Sequence, residues 1–173
     1  MAALEPDTQL RRSFIYRKLE EQGAHFEAIN GAAVAMSYGD DPEDEALLAR
    51  RLGIADLSPL PRTGFKGAGT IEWLQSQDVT IGADSNRGYR QAGGEVALRL
   101  SPSEILLIDS IEGSGRFIAK LNQAWNWGTE SPRKPIGYPL PRSDSHAWFA
   151  LSGLYCATMF SKICGIDLRA AKF

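Results

Sequence analysis

The apolar and polar positions of this chain contain one short pattern written twice. In the first copy Thr63-Gly64-Phe65-Lys66 reads as an extended segment, Gly67 breaks it, and Ala68, Ile71 and Leu74 then recur at helical spacing. In the second, Trp148-Phe149-Ala150-Leu151-Ser152 reads as extended, Gly153 breaks it, and Leu154, Ala157 and Phe160 recur in the same way. The two glycines stand 86 positions apart (153 less 67). A strand, a glycine break and an amphipathic helix are therefore predicted in each half.

The other elements follow from periodicity and end signals. Residues 1 to 12 read as a polar arm. A helix is predicted from Ser13 to Gln22, with Phe14, Ile15 and Leu19 sharing a face, Ser13 as its cap and Gly23 at its end. His25 to Tyr38, with loose alternation around Asn30-Gly31, reads either as a hairpin or as an irregular strand pair. Pro42 to Leu52 carries every helix signal. Asp41 can cap it, Pro42 suits the first position, Glu43, Asp44 and Glu45 oppose the N-terminal dipole, Arg50 and Arg51 sit at the other end, and Gly53 follows. Leu48 and Leu52, with Leu47 and Ala49 beside them, give this helix a face to bury, and its acids read as a solvated start.

Pro59 and Pro61 force an extended or turning path into the first copy. After it, Asp78 to Asn86 reads as a loop with Val79 and Ile81 inside. Gly88 to Ala92 and Glu95 to Leu100 read as a hairpin about Gly93-Gly94, with Val96, Leu98 and Leu100 on one face and Glu95, Ala97 and Arg99 on the solvated one. Ile105 to Asp109 is apolar enough for an inner strand. Ser114 to Trp127 reads as a helix presenting Phe117, Ile118, Leu121 and Trp125, ended by Gly128. From Gly128 to Arg142 the prolines 132, 135, 139 and 141 predict a connecting loop without regular structure. His146 to Leu151 returns to the sheet, and a last helix runs from Leu154 to Cys164, capped by Gly165.

Length and composition narrow the class. A chain of 173 residues, 43% apolar and 23% charged, suits one globular domain, taken as residues 13 to 173. No apolar run reaches the ~18 residues that cross a bilayer, and the N-terminus does not resemble a secretory signal, so a cytoplasmic location is expected. Lys and Arg number 19 against 21 for Asp and Glu, a net charge of -2, which gives no pull towards nucleic acid or anionic membranes.

Candidate chemistry is sparse. Cys156 and Cys164 lie roughly 12 Å apart along the predicted helix, too far for a disulfide, and neither His25 nor His146 has a ligand partner at close spacing. The turns at Gly67 and Gly153 invite an anion-binding reading, with Lys66 beside the first, yet neither matches the Walker or GxGxxG spacing. On a strand Asp144 and His146 share a face, whereas Ser145 and His146 do not meet. Trp125, Trp127 and Trp148 offer large rigid contact area; Trp125 reads as core, and Trp127, beside the proline-rich stretch, reads as an interface anchor. No catalytic, cofactor-binding or metal residue is assigned.

The run RRLGIADLSPLPRTGFKGAGTIEWLQ, the later SDSHAWFALSG and the ending KICGIDLRAAKF resemble the gamma subunit of heterotetrameric sarcosine oxidase. That family is similar to the folate-dependent aminomethyltransferase of the glycine cleavage system, and the resemblance runs from about Phe14 to Phe173. It implies an α+β fold with ferredoxin-like split βαβ elements, a mostly antiparallel sheet and helices packed on it. In the aminomethyltransferases a hairpin glycine pair is followed, two residues on, by paired aspartates that serve one-carbon chemistry on tetrahydrofolate. Here Gly93-Gly94-Glu95-Val96 is followed by Ala97 and Leu98, which can neither accept a proton nor stabilise a developing cation.

The resemblance thus implies a non-catalytic accessory subunit, with alpha, beta and delta subunits as partners. FAD, FMN, NAD and tetrahydrofolate would belong to those partners, in a complex that demethylates sarcosine to glycine. Family members continue past the position of Lys172-Phe173 with another strand and further helix-strand structure, so the resemblance implies either a version truncated at its C-terminus or a sheet edge that another chain covers. The alternative is a stand-alone folate-binding or aminomethyltransferase-like protein using other residues.

Overall fold

The computed structural model describes residues 4–39, 41–112, 114–125 and 137–165. Trp127, Gly128, Pro132, Pro135 and the terminal Lys172-Phe173 lie outside that set. Chain contacts divide the molecule into two compact units. Unit 1 holds residues 1–28, 33–58 and 147–173, and unit 2 holds 29–32 and 59–146.

Unit 2 is built on a five-stranded sheet. Its elements are β5 (Arg62–Lys66), α3 (Thr70–Ser76), β6 (Arg87–Arg90), β7 (Val96–Ser101), β8 (Glu104–Ile108), α4 (Arg116–Ala124) and β9 (Tyr138–Pro141). The strand order is β6-β7-β8-β5-β9, and each neighbouring pair is antiparallel. Without β6, the path β5-α3-β7-β8-α4-β9 in spatial order β9-β5-β8-β7 is the split βαβ arrangement of ferredoxin-like folds. Helix α3 packs on β8 and α4 on β5. Between helices and sheet lie Phe65, Leu74, Ile105, Leu107, Ile118 and Leu121, all buried. Phe65, Trp73 and Trp125 close this core with ring centroids 4.7 to 5.1 Å apart, so Trp125 is a core residue as its helical position implied.

Two expectations in unit 2 are corrected. Ala97, assigned to the solvated face of β7, is fully buried, while Leu100 on the opposite phase is exposed. Register decides this. Leu107 at the sheet centre pairs with Thr63 on one side and Ala97 on the other, so a large residue sits between two small ones under the helices. The second correction is β9, which lies within the segment expected to be a loop and pairs with β5. Pro139 and Pro141 stand two apart and so address the same side of the strand. A strand with a neighbour on one side only can leave that side without donors.

Unit 1 contains a 3-10 turn (Pro6–Thr8), β1 (Arg11–Arg12), α1 (Tyr16–Glu21), β2 (His25–Ile29), β3 (Ala32–Ser37), α2 (Pro42–Leu52), β4 (Gly53–Asp56), β10 (Phe149–Ser152) and α5 (Cys156–Ile163). Its strands form a sheet of order β1-β3-β2 and a two-stranded antiparallel pair, β10 with β4. β2 and β3 meet through Asn30 (φ 50) and Gly31 (φ 73), the pair of positive φ angles of a type I′ turn, so the hairpin is realised. Helix α1 starts later than its sequence suggests. The Ser13 hydroxyl donates to Asp56 and accepts the Ile15 N–H, and the helix then buries Tyr16 and Leu19 while Phe14 stays exposed. Residues 4–12 are not featureless: β1 pairs with β3, and the Tyr16 hydroxyl donates to Asp7 at 2.6 Å.

The duplicated pattern is present in both units, one copy in each. β5-Gly67-α3 and β10-Gly153-α5 repeat the same hydrogen bonds at the same offset. Thr70 N donates to Gly67 O and Trp73 N to Gly69 O in one copy; Cys156 N donates to Gly153 O and Met159 N to Tyr155 O in the other. Both glycines hold positive φ, 144° and 107°.

Candidate functional site

Neither glycine turn is a free anion cradle. Gly67 N donates to Ser103 O, and the Lys66 ammonium lies 2.9 Å from Glu104. At the second turn the N–H groups of Leu154, Tyr155 and Cys156 donate to the carbonyls of Arg50, Arg51 and Gly153. Donors already bound within the chain cannot be offered to a ligand without a loss. The turns are architectural, as the glycine spacing suggested.

The two residues that follow the hairpin, Ala97 and Leu98, are apolar and face opposite sides of the sheet. Ala97 is sealed in the unit 2 core between Leu107 and Tyr89, and Leu98 lies on the other face of the sheet opposite Leu106 and Gly88. The hairpin glycines are only partly used as turn residues. The connection runs over five residues, Gln91 to Glu95, and Gly94 alone of the pair adopts positive φ. Glu95 lies within the connection itself, and the buried acid at this end of the sheet is Asp109, just past β8. Its Oδ2 accepts the Gly115 N–H at 2.6 Å ahead of α4. That contact fixes Gly115 (φ 71), the residue from which α4 starts, and the helix itself has no side-chain cap.

Asp144, Ser145 and His146 lie in a turn, not on a strand, and all three are exposed. The alternation rule therefore does not apply, and Ser145 Oγ does meet His146 Nδ1, at 2.8 Å. What holds the turn is Arg62, whose buried guanidinium donates to the carbonyls of Arg142 and Ser143, each at 2.7 Å, and to that of His146. No group of three or more His, Cys, Asp or Glu among the described residues is placed to hold a metal, and Cys156 and Cys164 are half-buried free thiols.

A charged cluster sits at one end of the unit 2 sheet. Glu104 pairs across the strands with Lys66, and its other oxygen accepts from Arg142 Nη2 at 2.6 Å. Gly64 makes room, since a Cβ there would lie 3.1 Å from Arg142 Cγ. The hydrogen bond from Lys66 holds the Glu104 carboxyl below its usual range, against a smaller opposing effect of burial. Lys66 is raised by the same bond. Two cations on one carboxylate tie β5, β8 and the end of β9 together.

Unit 1 differs from unit 2 in what its helices bury. α2 matches its sequence-predicted bounds and cap, with Glu43 N donating to Asp41 at 2.8 Å. It nevertheless contains no buried residue, and neither does α5. Leu48 is 57% exposed, Ile54 63% and Leu154 79%, with Leu52 and Tyr155 also exposed. The expectation that Leu48 and Leu52 face a core is thus corrected. The hydrogen bonds from Leu154 and Tyr155 to Arg50 and Arg51 put these apolar side chains at the C-terminal end of α2. Amphipathic helices without a cover are the mark of an interaction surface.

A cleft of about 330 Å³ opens in this same unit, between α2, β4, β10 and Tyr38. Leu48, Ile54 and Ala150 form apolar walls, and Glu45 and Tyr38 supply the polar groups. Glu45 Oε1 accepts the Tyr38 N–H at 2.8 Å. Burial, then the nearby Asp56 and Glu45 carboxylates, push the Tyr38 phenol above its ordinary value. Nothing in the sequence signalled this site. The acids of α2 read as helix-dipole partners, and Tyr38 reaches Glu45 only through the path of the intervening turn.

No helix among the described residues is long and apolar enough to cross a membrane. No protein-family model and no curated protein matches the chain. Among solved structures it is similar to the glycine cleavage system aminomethyltransferase T from Bartonella henselae, with a TM-score of 0.60 and 18% identity. The match covers 89% of this chain and 44% of that one, so the chain spans under half the length of this neighbour. The fold is accordingly α+β of the aminomethyltransferase type, with antiparallel sheets and helices packed on them.

Proposed function

We propose that this chain is a non-catalytic accessory subunit, of the gamma type, in a sarcosine-oxidase-like assembly. The observation that carries the proposal is the apolar face of unit 1, where α2 and α5 contain no fully buried residue and Leu48, Ile54 and Leu154 are more than half exposed. A face of this kind is stabilised when another chain removes it from solvent. The burial of Ala97 supports the non-catalytic part of the reading, because a core alanine holds the place of an acid. In this reading alpha and beta subunits, with delta, carry FAD, FMN, NAD and tetrahydrofolate. The assembly oxidises the N-methyl group of sarcosine and passes the one-carbon unit to the folate. Purification of the tagged chain from its native host tests this: a stoichiometric flavoprotein complex is expected, and recovery as a lone stable monomer would overturn it.

A second reading, a stand-alone folate-binding protein, is favoured by the aminomethyltransferase-type fold and by the buried carboxylate of Asp109. Titration of the isolated chain with a reduced folate, followed by tryptophan fluorescence, separates the two. The accessory-subunit reading expects no saturable change at millimolar ligand, where the stand-alone reading requires one.

A further inference from the structure

The acids at the start of α2 have an unequal share of contacts. Asp41 caps the helix and Glu43 and Asp44 are exposed, but Glu45 is half-buried and turned to the cleft. One of its oxygens accepts the Tyr38 N–H, and among the described residues no Lys, Arg or His forms an ion pair with it. A half-buried carboxylate beside apolar walls and an aromatic ring has the chemistry that receives an alkyl stem ending in a cation. Burial first, and then the Asp56 and Glu45 carboxylates, hold the Tyr38 phenol in its protonated form, so the charges acting beside the cleft are negative. An anionic ligand is disfavoured there by the same charges.

We propose that this cleft is the receptor for a lysine or arginine side chain of a partner chain. The stem lies along Leu48, Ile54 and Ala150, and the cationic head meets the Glu45 carboxylate and the Tyr38 ring. The inference rests on the accessory-subunit reading, and the openness of the site argues for a partner's side chain over a free small amine. Its walls Leu48 and Ile54 are more than half exposed, so a free ligand would keep most of its surface in water. A side chain arrives with a surface that covers those walls and completes the burial.

The test uses n-butylguanidinium chloride as probe and the neutral n-butylurea as its counterpart. Each is titrated into the 173-residue chain while the amide signals of Ala55 and Ala150 are followed. Saturable binding of the guanidinium is expected, with the urea at least about tenfold weaker, a difference of about 1.4 kcal/mol. Glu45→Gln keeps the acceptor for the Tyr38 N–H and removes the charge, so it should bring the guanidinium down to the level of the urea. Equal binding of both probes, or no saturable shift, would overturn the proposal.

In the purified complex, Glu45→Gln should weaken association about tenfold, while Asp44→Asn at an exposed neighbour stays within about twofold. An unchanged affinity for Glu45→Gln overturns the side-chain source and leaves the accessory-subunit reading standing. A chain that assembles with nothing overturns both.

Discussion

Gly153 packs so tightly on Arg51 that a Cβ at its position would lie 2.6 Å from the Arg51 carbonyl carbon and oxygen, and its φ of 107° is one that side chains rarely adopt. Steric exclusion and backbone conformation both require glycine here. Gly153→Ala should destabilise unit 1 by roughly 1–3 kcal/mol. Gly31 is the control, since it also has positive φ (73°) but nothing within 4 Å of its Cβ. Gly31→Ala should therefore carry the backbone strain alone, about 1–2 kcal/mol, without the clash. Amide exchange of β10 and β4 for Gly153→Ala, and of β2 and β3 for Gly31→Ala, reads the difference.

The contrast between the two units predicts unlike responses to the same truncation. Leu121 of α4 is fully buried, whereas Leu48 of α2 is mostly in water. Leu121→Ala should cost about 2–5 kcal/mol. Leu48→Ala in the isolated chain should stay within about 0.5 kcal/mol of wild type. Urea melts monitored separately for each unit check both values, and a large loss from Leu48→Ala would mean that its face is covered within the chain.

Placing an acid at Ala97 should not create one-carbon chemistry. Ala97 lies in the core against Leu107, so Ala97→Asp places a carboxylate where no water reaches it. A loss of roughly 3 kcal/mol or more in stability is expected, with no gain in one-carbon transfer. Differential scanning calorimetry and an assay with reduced folate measure the two outcomes.

The Glu104 cluster should make stability fall on acidification. Its folded-state pKa is lowered, chiefly by the hydrogen bond from Lys66, so its contribution is complete above the carboxylate's unfolded value and is lost as pH falls through the depressed folded value. Wild type should therefore be more stable than Glu104→Gln at pH 7. The gap should close as the solution is taken well below the ordinary carboxylate range. Chemical denaturation of both proteins across that range checks it, and a gap that persists in acid would contradict the assignment.

How far the sequence alone carried the fold depended on whether each signal was local. Asn30-Gly31 and Asp41-Pro42 are local: a turn type and a helix start are determined by two residues each, and both formed as their chemistry required. The strand-glycine-helix pattern is also local, and its two copies repeat down to single hydrogen bonds. The faces were not legible. Val96 and Leu98 look like the buried side of β7, yet both faces of the sheet carry apolar residues, and only the register with Leu107 brings Ala97 under the helices. Likewise α2 has the pattern of a buried helix, but periodicity shows that a face is apolar and not what covers it. The absence of acids at Ala97 and Leu98 was plain from the chain, whereas the Glu45 and Tyr38 cleft depends on tertiary approach and left no trace in spacing.

The account turns on the apolar face of unit 1 being covered by another chain. Hydrogen exchange of the chain alone and within the complex purified from its host tests this most directly. Added protection is expected in residues 42–56 and 156–163, the span of α2, β4 and α5, with little change in β7 and β8, already paired on both sides. Protection that appears only elsewhere, or none at all, would contradict it.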